Sequence, residues 1–227
     1  MQKSHPSKAV VLNKVIKNDT EKDNTETTVT RDKTRWRWYH ALLLHAGTKL
    51  LSYGLSKVTE RLTGNDSTRQ AQDEFYENLE LPVFAPPGPA FPAVWAINNA
   101  ARTAGMVRVL NLPEETEGRK TYLVLQGVSL VNYASFNPVY FGLRSPTNGA
   151  VLSVLDTGVN LASLYVALSK LEDTQTALSL STIVPWLGLA SAVSVTVAAW
   201  NEDAFYGTQA RAKPLPDWVK GDTEARP

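Results

Sequence analysis

"VFAPPGPAFPAVWAINNAARTAGMVRVL", from Val83 to Leu110, carries four prolines in its first ten residues and none afterwards. Proline lacks an N–H and is tolerated in the first turn of a helix, where that donor would have no partner. The stretch therefore reads as an entrance. Pro82, Pro86, Pro87 and Pro89 predict an extended lead into a helix beginning near Ala90, with Pro92 still inside its first turn. Trp95 follows at the depth where an indole can present its ring to apolar surroundings and its N–H to a carbonyl or a ligand. Asn98, Asn99, Arg102 and Arg108 come next, so this is no simple amphipathic helix.

Outward from there, the chain yields five apolar stretches, at about 38–58, 90–111, 121–143, 149–169 and 174–201. The last runs 28 residues without a charge, beyond the roughly 20 that cross a hydrocarbon core. The third is uncharged over 23 residues, and the fourth holds only Asp156 in the 21 residues from Gly149 to Ser169. A soluble helix of this length would show a charged stripe, and the third and fifth stretches show none at any angle. Charges interrupt the first two. Lys49 needs a protein or water cavity, Arg108 an end to snorkel to, and Arg102 a partner inside the bundle, since a central Arg costs about 2.5–3.5 kcal/mol on insertion scales. The expected fold is all-α: a polytopic five-transmembrane-helix bundle over residues 36–203, with polar tails at 1–35 and 204–227.

A soluble five-helix bundle competes with that reading and would suit a mean hydropathy of −0.20, although the polar tails lower that average. The net charge of +1 supplies no field for nucleic acid, and the absence of Cys excludes disulfide scaffolds, thiolate metal sites and cysteine nucleophiles. His5, His40 and His45 are the three histidines. The last two lie five residues apart, about 140° round a helix, so they do not converge on a metal. Residues 1–35, with Lys, Asp, Glu, Asn and Thr and no aromatic side chain, suit a disordered tail. Its first eighteen residues hold four Lys and no acid, in the manner of an organellar presequence, but lack the Arg of one and the apolar core of a secretory signal. Arg31, Lys33, Arg35 and Arg37 before the first stretch tilt the N-terminus towards a cytosolic or matrix-like side. Gly158 with Ala162, and Gly188, Ser191 and Ala192, would let helices approach closely.

Two motifs carry a family resemblance. "FAPPGPAFPAVW" resembles the entry to the second helix of the TspO/MBR family, the translocator or tryptophan-rich sensory proteins, where the pattern is P-P-x-W-V-F-G-P-V-W-T-x-L-Y. Pro86, Pro87, Phe91, Val94 and Trp95 match, whereas Pro89 replaces the first Trp, Ala93 the Pro and Asn99 the Tyr. Upstream, Phe75, Tyr76, Leu79, Pro82 and Phe84 resemble the loop before that motif. "NPVYFG" is similar to the end of the family's third helix, W-x-P-L-F-F-G, with Phe136 where Trp is usual. The family's third-helix Asn falls on Tyr133, which leaves Asn132 about 100° round the helix. Pro185 and Trp186 resemble the Pro-Tyr that opens the fifth helix, and Asp156 resembles the Asp of the fourth, offset by several residues.

The resemblance implies a five-helix membrane protein, often dimeric, with a pocket for tetrapyrroles or sterol-like lipids beneath the loop joining the first two helices. Phe84, Pro86, Pro87, Trp95, Asn98, Asn99, Asn132, Tyr133, Phe136, Asp156 and Trp186 are the candidate ligand-binding residues, with Asn160 beside them. No residue is assigned to catalysis, since no nucleophile–base pair or phosphate loop is visible. A porphyrin, haem or sterol is expected as ligand rather than as a fixed cofactor, and haem ligation would fall to His40, His45 or a Tyr. The expected function is a membrane receptor or carrier, with membrane lipids and a homodimer as partners. The alternative is an accessory subunit of a larger membrane complex, docked through the tails and Trp218.

Overall fold

In the computed structural model, residues 35–88, 90–214 and Val219 are described. The expectations for the tail before Arg35, for Pro89 and for most of the C-terminal tail, Trp218 included, lie outside the described residues. The helices belong to one unit from Trp36 onward.

Among the described residues seven α-helices form: α1 Trp38–Thr63, α2 Arg69–Glu77, α3 Ala90–Leu110, α4 Arg119–Phe136, α5 Pro146–Ser169, α6 Thr174–Leu178 and α7 Ile183–Trp200. α4 runs on into a π-helical turn, Asn137–Gly142. Local chemistry sets most of these ends. At the start of α1, His40 Nδ1 accepts from the Arg37 backbone N–H at 2.9 Å, and Gly64 ends the helix in the left-handed region. Thr68 caps α2, Ser145 caps α5 with Pro146 in its first turn, and Asp173 accepts from the Gln175 and Thr176 N–H groups to start α6.

α3 begins where the prolines predict, but the lead into it is not extended. Ala85 N–H donates to the Pro82 carbonyl at 2.8 Å and Ala90 N–H to the Pro87 carbonyl at 2.9 Å, which folds the segment into successive turns. Proline's fixed φ suits the corner of a turn as well as a straight run. Other expectations also shift. α1 extends to Thr63, five residues beyond the first apolar stretch, because nothing before Gly64 breaks it. The connector after it contains α2, and the fifth stretch divides at Ser179–Thr182 into α6 and α7.

The five long helices run end to end in alternating directions. Asn111, just past α3, holds Trp36 at the head of α1 by two bonds, donating to its carbonyl at 2.9 Å and accepting from its N–H at 2.8 Å. At the other end Asn201, just past α7, makes the same pair of bonds with Glu80, at 3.1 and 2.8 Å. Thr63 and Asn65 meet the Gly142 carbonyl at that second end, so α1, α4 and α7 point one way and α3 and α5 the other. Glycine permits close approaches at Gly105, where a Cβ would fall on Ser179 Oγ, and at two further positions. Gly118, at φ 79°, would set a Cβ 2.6 Å from Lys170 Cβ, and Gly149 would set one 2.6 Å from the Tyr140 ring.

Two segments, Pro146–Ser169 and Thr174–Trp200, are long and apolar enough to cross a membrane among the described residues. α1, α3 and α4 fall short on apolarity rather than length, because Lys49 and Lys57, Asn98 and Arg102, and Gln126 and Asn132 interrupt them. Five spans are thus not established by apolarity. Outside the helix contacts, large apolar side chains stay uncovered: Leu50 is 71% exposed and Leu62 78% on α1, and Val151 58% on α5, which water would not favour.

Candidate functional site

Arg102 finds its partner in the middle of the bundle. The side chain is completely buried, and its Nη1 donates to Ser129 Oγ on α4 at 2.7 Å while Nη2 donates to Asn99 Oδ1 at 2.8 Å. Ser129 Oγ in turn donates to Asp156 Oδ1 on α5 at 2.6 Å. The guanidinium and the carboxylate are therefore joined through one hydroxyl rather than directly. Asn160 Nδ2 reinforces the junction, donating to Ser129 Oγ at 3.0 Å and to Asp156 Oδ1 at 3.1 Å. Gln126 Nε2 extends it along α4 by donating to Ser163 Oγ at 2.9 Å. A charge buried without a partner costs several kcal/mol, and here each charge has hydrogen bonds on more than one side.

A second cluster lies on the α1 side of Arg102. Its Cζ stands 5.8 Å from the centre of the Tyr133 ring, and Lys49 Nζ stands 5.3 Å from that centre and donates to Tyr133 Oη at 3.1 Å. Trp95 packs against the same ring at 5.0 Å, tilted by 46°. Two cations and an indole thus meet at one phenol. Asn98, buried beside Trp95 on α3, has neither Nδ2 nor Oδ1 hydrogen-bonded among the described residues, and Arg102 Nε also lacks a partner there. Buried polar atoms are rarely left so.

The other candidates divide among different environments. Asn132 turns to α5, donating to the Leu152 carbonyl at 3.1 Å, so it does not join Tyr133. Phe136 packs with Tyr140 at 5.4 Å, next to Phe75, which is likewise 5.6 Å from Tyr140. Trp186 meets Phe91 at 5.4 Å, and Phe91 meets Tyr76 at 5.8 Å, forming an aromatic row under the proline turns. Phe84 and Pro87 are exposed and Pro86 is half-buried, so these three cover the loop rather than line the Tyr133 cluster. Their side chains follow the turns rather than the helix. Asp156 and Asn160 are committed to the network. Ser129 and Lys49 join these clusters without being among the candidates read from the sequence.

At the bundle ends, two carboxylates have settled partners. Burial pushes the Asp173 carboxyl up, but hydrogen bonds from Arg108, at 2.6 Å, and Thr176 outweigh it and leave the pKa below the usual aspartate value. Arg108 thus reaches an end, as a snorkelling side chain should. Asp203 behaves alike: burial raises it, while Ser145 Oγ at 2.7 Å, the Thr147 N–H at 2.9 Å and the Tyr206 N–H hold it below the usual value.

The family model for the TspO/MBR family matches residues 52–200, which takes in the proline turns, the Arg102–Asp156 network, Trp95, Tyr133 and α3 to α7, while Lys49 precedes it. The chain belongs to the TspO/MBR family. No curated protein matches it. Family membership and the apolar helices together make it an integral membrane protein.

Proposed function

We propose that this TspO/MBR member is a receptor or carrier for a flat amphipathic molecule of the tetrapyrrole or sterol-like kind, bound without covalent chemistry between α1 and the α3–α4 pair. The observation that carries the reading is the meeting of Lys49, Arg102 and Trp95 at Tyr133, with the polar atoms of Asn98 unsatisfied beside it. A ring system would stack on Trp95 and Tyr133. Acidic substituents would pair with the two cations, a preference for tetrapyrrole carboxylates over a neutral sterol. Entry would follow displacement of α1, in which Thr48 is the one buried residue among the described residues. Titration of the purified protein with a dicarboxylate porphyrin tests this. Trp95→Ala and Tyr133→Ala should each weaken saturable binding about ten-fold, in line with loss of roughly 1–3 kcal/mol of stacking on an aromatic platform. Wild-type affinity in both variants would remove the assignment.

A second reading has its own observation. Ser129, Asp156, Asn160 and Gln126 hydrogen-bond to one another in the bundle centre, which leaves apolar outer faces as the surfaces for recognition. On that reading the chain is an accessory subunit of a larger membrane complex. Gentle solubilisation and a native gel separate the two: a large assembly supports the accessory role, and a small species carrying an absorbing ligand supports the carrier.

A further inference from the structure

We infer that the seam between α4 and α5 holds one anionic phospholipid, with its phosphate at Lys120 and an acyl chain laid along α4. This site shares no lining residue with the Tyr133 cluster and does not depend on the carrier reading. Two hollows there share a lining residue. One, of about 440 Å³, lies at the start of α4 and is bordered by Arg119 and Lys120; the other, of about 550 Å³, is an apolar groove between α4 and α5. Val124 borders both.

The chemistry along this path changes as a lipid's does. Arg119 is pinned in place, its Nε and Nη2 donating to the Val109 and Leu110 carbonyls at 3.2 and 3.1 Å, so its charge is fixed at the end of the bundle. Lys120 is exposed and forms no ion pair among the described residues. Glu114 also borders the hollow and is engaged in an interaction of its own, which leaves the cations in excess by one. Beyond Val124 the lining turns apolar, through Val128 and Val131 to Leu155. Lys120, Val124, Val128 and Val131 fall at spacings of four, four and three and so share one face of the helix. From Lys120 to Ser135 the path rises about 22 Å, longer than one leaflet's roughly 15 Å share of the hydrocarbon core. Gly127 opens the floor of the groove, since a Cβ there would meet nothing within 4 Å.

One cation without an ion-pair partner among the described residues, Lys120, with an apolar slot beneath it distinguishes a charged lipid from a neutral one. A neutral phosphatidylcholine offers the groove the same acyl chains, so the preference for an anionic headgroup isolates the cations' role. Each such cation near a membrane surface favours an anionic headgroup by about five-fold.

The test uses the full chain purified in neutral detergent and native mass spectrometry, with phosphatidylglycerol and phosphatidylcholine of identical acyl chains as probes. Phosphatidylglycerol adducts should exceed phosphatidylcholine adducts by about five-fold. Lys120→Glu, on an exposed side chain, should abolish that preference. Gly127→Leu fills the notch with a better helix former and should reduce adducts of both lipids. Inorganic phosphate should leave the adducts in place. Equal adducts of the two lipids in the unaltered protein, an undiminished preference in Lys120→Glu, or displacement by phosphate alone would each overturn the assignment. A homodimer that Gly127→Leu converts to monomer would also overturn it, by making the groove a protein interface.

Discussion

α1 and α5 are almost equally long, at 26 and 24 residues, and the bundle uses them in opposite ways. α5 buries eight residues, among them Ser153, Asp156, Asn160 and Ser163. Its polar side chains bond to α4 on one side and to α7 on the other, where Thr157 Oγ1 donates to the Leu187 carbonyl at 3.0 Å and lies 2.7 Å from Ser191 Oγ. α1 buries Thr48, and that hydroxyl bonds back to its own helix at the Leu44 carbonyl. Where lipid gives no hydrophobic drive for association, interhelical hydrogen bonds and close packing must hold a helix in place. α5 is therefore the fixed element, and α1 a wall attached through Lys49 and its two ends.

The largest separation between the two should come from Asp156→Ala. Removing the carboxylate leaves Arg102 buried without its counter-charge, a loss of about 3–5 kcal/mol. Thermal unfolding in detergent should show a protein that barely folds, and Asp156→Asn, which keeps a polar group beside Ser129, should recover part of the loss. An Asp156→Ala protein as stable as the original would mean that α5 is not held by this network.

Asp203→Asn comes next and acts at the cap of α5. Four donors converge on the Asp203 carboxylate: Ser145 Oγ and the backbone N–H groups of Thr147, Phe205 and Tyr206. Hydrogen bonds to a charged group contribute about 1.5–3 kcal/mol. The folded pKa is depressed, so this stability is complete above the ordinary aspartate value of about 3.9 and disappears as pH falls through the lower folded value. Melting curves from neutral pH down past that window should show the original losing stability at the acid end and Asp203→Asn losing less. Parallel curves would detach the cap from the acid response.

These effects also separate what the sequence discloses from what it hides. The start of α3 at Ala90 is legible because proline acts on the backbone locally, wherever the chain later goes. Arg102 announces that a partner must exist, since an intramembrane charge cannot stand alone. Its partner was not legible: Ser129 sits 27 residues away on another helix and reads as one more small packing residue. Asp156 hides its connection for the same reason. α2 is short and polar and leaves no apolar run to read, although Asp66 and Thr68 supply its capping signal. Tyr133 was named from register alone, but its convergence with Lys49 depends on the tilt between α1 and α4, which periodicity does not encode.

Thr157→Val addresses the α5–α7 seam alone. It keeps the side-chain shape and removes the hydroxyl shared with Ser191 and Leu187. Polar contacts between membrane helices contribute about 0.6–1.7 kcal/mol each, so a loss of about 1 kcal/mol in detergent melts is expected. No loss would assign the seam to the packing of buried α7 side chains such as Leu187 and Val193 instead.

The smallest effect on stability belongs to Lys49→Ala. An exposed ammonium over a tyrosine ring contributes about 0.5–1 kcal/mol, and the other attachments of α1, at Asn111 and Gly142, remain. The same substitution should nevertheless weaken binding of a dicarboxylate porphyrin several-fold while leaving a neutral ring analogue unaffected. That contrast is what the difference between the two helices demands. A residue on the fixed helix should move stability and binding together, whereas one on the movable wall should move binding with little change in stability. A large fall in melting temperature for Lys49→Ala would make α1 as much a structural helix as α5.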